Sequence, residues 1–355
     1  IDLSFDKKGD LIYAKWIDDG PKSTSFKNTT ASKVVAGFEK GFPGFNISLT
    51  GMDDTSENLT LHVGSSGLYG EHYVWEKDTG QARYLFSSQE SVDQLNLNQL
   101  QSVKYKTSDG VMLQGWLLMP RSGKPKALIN HIHGGPHGPF IEYRFNAGMQ
   151  ILSEMGYAVF APNFRGSGGY GQNLERAGYK KWGTRMLDDM REGAEYVQKN
   201  YEVGDKVYTY GGSYGGYMTA AALAFHPEVF DAGINIFGVT NWVRTLKSIP
   251  PWWGSFRDAL YDEMGDPAID EERHRAISPL FHAGNITKPM LVVQGANDPR
   301  VLQVESDELV AAVRANGVPV EYVLFPDEGH GFRRRENRIT ASEAYLKFLD
   351  DHIGR

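Results

Sequence analysis

Residues 211–218 read Gly-Gly-Ser-Tyr-Gly-Gly-Tyr-Met, between a short β-type run at Val207–Tyr210 and an Ala-rich helical run at Thr219–Phe225. A serine at the tip of so tight a strand-to-helix turn sits in strained backbone, and its neighbours must be small for the chain to close. Gly211 and Gly215 meet the G-x-S-x-G spacing, while Gly212 and Gly216 relieve crowding further. In a chain with 40 glycines the pattern alone is short enough to occur by chance, so the strand before it and the helix after it carry the argument. Ser213 is the candidate nucleophile.

The rhythm around this elbow extends over 250 residues. From Gln101, strands are expected at Val103–Thr107, Val111–Met119, Ala127–His133, Ala158–Pro162, Val207–Tyr210, Ala232–Phe237, Met290–Gly295 and Val320–Phe325. Helical patterns alternate with them: a stretch up to Met155, then Met186–Lys199, Val304–Ala315 and Glu336–Ile353. Such alternation predicts a doubly wound, mostly parallel α/β sheet over residues 96–355. Residues 238–282 break it and carry Trp242, Trp252, Trp253 and Phe256. An insertion there is expected over the C-terminal strand ends, where such sheets bind ligands.

Residues 1–95 have a different texture. Short alternating runs at Leu11–Trp16, Asn58–Val63, His72–Glu76 and Ala82–Phe86 are separated by turn chemistry such as Asp78-Thr79-Gly80. Period-two runs at this spacing predict an all-β, propeller-like segment. Ninety-five residues make roughly two blades of about 40–45 residues, fewer than the four or more of a closed propeller. The expectation is therefore the C-terminal portion of a truncated propeller rather than a smaller independent β unit.

Composition narrows the function classes. Of 355 residues, 41% are hydrophobic, enough for a sizeable core. The net charge of −7 and the lack of a Lys/Arg block exclude a basic nucleic-acid footprint. No apolar run approaches the ~18–20 residues that cross a bilayer, so no membrane partner is expected. The start, Ile1-Asp2-Leu3-Ser4, lacks an initiator Met and a signal pattern and reads as a trimmed chain. With no cysteine, a disulfide framework, a thiol nucleophile and thiolate metal sites are excluded, and the compartment stays open between cytoplasm and periplasm or exterior. The N-x-[ST] triplets at Asn28, Asn46, Asn58 and Asn285 are read as chance.

A serine hydroxyl needs a base to take its proton, and the base needs a third group to fix its tautomer. In this fold the order along the chain is Ser, acid, His. Asp298 follows the strand at Met290–Gly295, and His330, flanked by Gly329 and Gly331, follows Val320–Phe325. Both loops leave the sheet at the edge that carries Ser213. The bland alternative is a helix-capping Asp298 and an ordinary loop His330. His131, His133 and His137 resemble an H-x-H-x3-H metal cluster, but Gly134-Gly135-Pro136 between them suits an oxyanion loop better. The amides of Gly135 and Tyr214 are the expected oxyanion donors, with no metal and no cofactor.

Together HGGP (133–136), NFRGSGGYG (163–171), GGSYGGYM (211–218), GANDPRV (295–301) and DEGHGF (327–332) resemble the prolyl oligopeptidase family of serine peptidases, particularly its acylaminoacyl-peptidase-like branch. The resemblance spans residues 100–355. It implies an α/β-hydrolase domain preceded by a β-propeller, of which residues 1–95 would be the last part. It implies Ser213, Asp298 and His330 as the triad, and Arg300 as a contact for a substrate backbone carbonyl. Arg165 is expected in a structural salt bridge, and Trp182-Gly183 and Asp188-Asp189 in support of the fold. One departure is that related enzymes use a tyrosine hydroxyl as oxyanion donor, whereas the HGGP form suggests a backbone amide. No Glu-Glu pair for a free substrate amino terminus is seen.

The expected activity is hydrolysis of short peptides through an acyl-enzyme. A carboxylesterase of the same fold and a catalytically silent binding module are the alternatives. Tyr214, with Trp252, Trp253 and Phe256, suggests an apolar specificity pocket. The expected partners are short peptides, plus either the missing propeller portion or a second copy of the chain.

Overall fold

The computed structural model describes residues 2–55, 57–121, 123–249 and 251–353. The chain divides into two compact units. The first gathers Ile1–Ser102, Trp116–Arg121 and Glu142–Met155; the second gathers Val103–Gly115, Ser122–Ile141 and Gly156–Arg355.

The first unit begins with β1 (Asp2–Phe5), β2 (Leu11–Ile17) and β3 (Pro21–Ser25), joined antiparallel in that order. A helix follows, α1 (Thr30–Gly41), which the strand-like texture of the region did not announce. Thr29 and Ser32 form a reciprocal cap at its start, and Ala31, Val34, Val35 and Phe38 form its buried stripe. β4 (Asn46–Met52), β5 (Leu59–Gly64), β6 (Glu71–Glu76) and β7 (Gln81–Ser87) then form a four-stranded antiparallel meander. Ile12 and Tyr13 of β2, the α1 stripe, Ile47, Leu59, Leu61 and Val63 make one core. A single helical turn, α2 (Glu90–Asp93), closes the run.

The first unit reaches past residue 95 for identifiable reasons. α3 (Ala147–Glu154) carries Gln150, whose side-chain amide donates to the carbonyls of Ser66 and Asn98 at 2.7 and 2.9 Å. Trp116 packs on Tyr143 at 5.2 Å. The stretch before Ala147, expected as helix, is loop back to Gly134.

Among the described residues the main sheet has eight strands. In chain order they are β8 (Gln101–Lys106), β9 (Met112–Leu118), β10 (Leu128–Ile132), β11 (Ala158–Asn163), β12 (Val207–Gly212), β13 (Ala232–Ile236), β14 (Met290–Gly295) and β15 (Val320–Phe325). Their order in the sheet is β15-β14-β13-β12-β10-β11-β9-β8, and β10 through β15 pair in parallel. β11, β13 and β14 are buried at every position, as parallel strands covered on both faces must be.

Within the second unit the helices are α4 (Gln172–Arg176), α5 (Arg185–Asn200), α6 (Tyr214–Phe225), α7 (Trp242–Lys247), α8 (Arg257–Met264), α9 (Glu271–Ala276), α10 (Gln303–Ala315) and α11 (Arg335–Ile353). α6 is buried on nearly all sides, whereas α5 buries Met186, Leu187, Met190, Ala194 and Val197 and exposes a charged face. The break at 238–282 is built from α7, α8, α9 and 3-10 turns. No described helix is long and apolar enough to cross a membrane.

Candidate active site

The turn from β12 to α6 puts Ser213 between them at φ 57°, ψ −119°, a strained conformation for a residue with a side chain. Surrounding bonds over-determine it. The Ser213 amide donates to the Ile236 carbonyl at 3.0 Å, and its carbonyl accepts the Tyr217 amide at 3.0 Å. Gly215 has no room for a Cβ, which would lie 2.1 Å from the Ile132 carbonyl; one on Gly211 would lie 2.6 Å from the Gly215 backbone. The glycine spacing thus reflects backbone packing against the end of β10.

The loops after β14 and β15 converge on this turn. His330 Nε2 lies 2.9 Å from Ser213 Oγ, and its Nδ1 lies 2.6 Å from Asp298 Oδ2. The Asp298 side chain is fully buried; its Oδ1 accepts the amides of Arg300 and Val301 at 2.8 and 2.9 Å. An ionised carboxylate only accepts, so Nδ1 carries the proton and Nε2 presents its lone pair to the serine hydroxyl. Phe237 packs on the imidazole at 4.7 Å, and Phe332 packs on Phe237 and Phe325. Sequence reasoning missed this aromatic backing; its signal was the position of Phe237 directly after β13.

The Gly134-Gly135-Pro136 loop leaves β10 beside the serine. A Cβ on Gly134 would sit 3.5 Å from Ser213 Cβ and 3.2 Å from the Gly212 carbonyl. Gly135 has φ 122°, and the Gly135–Pro136 bond is cis. Tyr214 is the first residue of α6, where a helix has no carbonyl of its own to bind the amide. Its ring is locked among Trp182, Phe164 and Tyr217 at 5.0, 6.0 and 5.4 Å. Trp242, at the start of α7, packs on Trp182 and Tyr217 and joins this cluster.

The other candidates are placed individually. His133 donates Nδ1–H to the Gly134 carbonyl, accepts the Ser167 hydroxyl at Nε2 and stacks on Phe164. His137 accepts the Trp182 indole N–H at 3.0 Å, and His131 meets the Tyr210 ring. Burial pushes all three imidazoles down to about 4 and so keeps them neutral. Among the described residues no group of three or more His, Asp or Glu is arranged to hold a metal ion. Arg165 makes a buried fork onto Asp189 and a second onto Asp109. Arg300 is exposed, its amide anchored on Asp298. Trp252 and Phe256 are exposed on the turn Pro251–Phe256. Among the described residues, neither they nor Trp253 shares a hydrogen bond or ring contact with Ser213, Asp298 or His330.

Comparison with known proteins adds an independent line. The model of the prolyl oligopeptidase family matches residues 143–355. Dipeptidyl aminopeptidase BIII of Pseudoxanthomonas mexicana is 39% identical over 80% of this chain and 43% of its own length. Dipeptidyl peptidase family member 6 of Caenorhabditis elegans is 33% identical over 88% of this chain and 46% of its own. The chain thus spans less than half the length of these two relatives. Among solved structures, an acylaminoacyl peptidase in complex with Z-Gly-Gly-Phe-chloromethyl ketone superposes with a TM-score of 0.71 at 26% identity, over 85% of this chain and 49% of that one.

Proposed function

Because the chain belongs to the prolyl oligopeptidase family, we propose that it is a serine peptidase that cleaves short peptides through an acyl-enzyme formed on Ser213. One observation carries this reading: a single imidazole bridges a buried carboxylate and a serine at an elbow, at 2.6 and 2.9 Å. His330 takes the Ser213 proton as Oγ attacks the scissile carbonyl. The amides of Tyr214 and Gly135 stabilise the tetrahedral oxyanion. His330 then protonates the leaving amine, and water attacks the acyl-enzyme with His330 again as base. Asp298 stays ionised and holds the imidazolium. The aromatic packing around Tyr214 keeps its amide from moving during the reaction.

Arg300 fits a contact to a substrate backbone carbonyl, since the residue is exposed, with no side-chain hydrogen bond among the described residues, while its backbone is fixed to the Asp298 turn. Trp252, Trp253 and Phe256 remain the proposed apolar surface for substrate side chains. Residues 1–95 are read as a portion of a β-propeller, supported by the blade-like meander β4-β5-β6-β7. Relatives named for dipeptide release and a neighbour named for acylated substrates both support short peptides cut near the amino terminus.

The test is Ser213→Ala together with a peptide library carrying free and acylated amino termini. The substitution should abolish hydrolysis of peptide-amide and ester reporters and block fluorophosphonate labelling. Retained turnover would sink the assignment.

A further inference from the structure

The histidine and acid loops hang on a carboxylate that lies outside the Ser-His-Asp line. Glu328 precedes His330 by two residues and is buried. Its Oε2 accepts the Arg333 amide at 3.0 Å; its Oε1 accepts the Arg334 amide and the Asn337 side-chain amide, each at 2.9 Å. These donors belong to the entry and first turn of α11. The Glu328 carbonyl accepts the amide of Asn297, the residue before Asp298, at 2.9 Å. Asn297 returns a side-chain bond to the Pro326 carbonyl at 2.8 Å. A Cβ on Gly295 would lie 2.6 Å from the Glu328 carbonyl, so the two loops meet backbone to backbone.

The chemistry of this junction calls for a carboxylate. Three N–H donors converge on two oxygens, and an acceptor-only group satisfies all of them. An amide in its place would turn a donor toward one of them. Led by the Arg333 amide, these bonds hold the carboxyl below the usual glutamate range. Glycine flanks His330 on both sides, so the backbone of Gly329-His330-Gly331 does little by itself to fix the imidazole, which leans on the Phe237 ring, on Asp298 and on this clamp.

We propose that Glu328 is a positioning residue that ties the start of α11, the histidine loop and the acid loop together, so that His330 stays within hydrogen-bond reach of both Asp298 and Ser213. The inference rests on the reading of Ser213 as nucleophile. Glu328 touches no reacting atom; it acts through the placement of His330. Misplacement by about 1 Å costs on the order of 100-fold in rate.

The experiment uses the full 355-residue chain as wild type and as Ser213→Ala, Glu328→Gln, Glu328→Ala and Asn337→Ala. It reads kcat and KM on a peptide-amide reporter, fluorophosphonate labelling rate, melting temperature, and the low-field proton resonance of the His330–Asp298 bond. For Glu328→Gln the expected result is a kcat fall of roughly 10-fold or more with KM unchanged, and an upfield-shifted or broadened resonance. Asn337→Ala should fall between it and wild type. Folded Glu328→Gln with wild-type kcat and resonance overturns the proposal, as does a loss that disappears on assay well below the melting temperature. If Glu328→Ala does not fold, the other two variants decide. A wild type inert to probe and substrate would overturn the nucleophile reading instead, and the resonance would still judge whether Glu328 holds His330.

Discussion

Each catalytic candidate owes its placement to a few named atoms. Asp298 uses one oxygen for two backbone amides and the other for His330, so its side chain has no freedom to turn. Asp298→Asn should therefore keep the fold but present an amide N–H to the imidazole, favouring the wrong tautomer. The expected fall in kcat is roughly 10⁴-fold with melting temperature nearly unchanged; a loss under tenfold counts against Asp298 as the orienting group. At this scale much was legible. Ser213, Asp298 and His330 stand out by residue type and order, and the structure puts them in one hydrogen-bonded line. Glu328 and Phe237 did not stand out, because a buried carboxylate and a packed ring are defined by neighbours that chain order does not reveal.

Among the elements, α5 shows how charge is used. Asp189 on its buried face is fully covered, and Arg165 meets it through two nitrogens. Arg165→Met removes the two-nitrogen fork from that interior carboxylate, leaves only the more distant Arg185 beside it, and should cost about 3–5 kcal/mol in denaturant unfolding. A change below ~1 kcal/mol would mean that Arg185, 3.7 Å from Asp189, takes over the pairing. α8 offers a different case. Glu263 is pushed up from its usual 4.5 to about 7, by burial first and then by Glu175 and Asp262, with His137 3.9 Å away. The folded state thus holds this proton more tightly than the unfolded chain. The stability it contributes is full below pH 4.5 and is lost as pH rises through 7. The melting temperature of Glu263→Gln should gain on wild type across that window; a pH-independent difference would refute the assignment. The strands of the main sheet were readable from their apolar runs, whereas α1 was not, since its short stripe lies among turn-rich strands.

For the molecule as a whole, the first unit exposes Leu3, Phe5, Tyr84 and Phe86 on the strands β1 and β7, both at sheet edges. Unpaired edges with apolar side chains favour association. Sedimentation of purified chain should show species heavier than 39.6 kDa, and a clean monomer across micromolar concentrations would count against it. The sequence alone determined the parts: a serine elbow, an acid and a histidine after successive strands, and a β-rich stretch before an alternating α/β one. These are local properties, written in residue size, period and turn chemistry. Only the tertiary structure decided the distances. His330 reaches Ser213 across 117 positions and Asp298 across 32. That convergence depends on parallel strands in register and on loops clamped backbone to backbone. The Ser213 elbow is thus local in origin, but its coupling to a base is a property of packing.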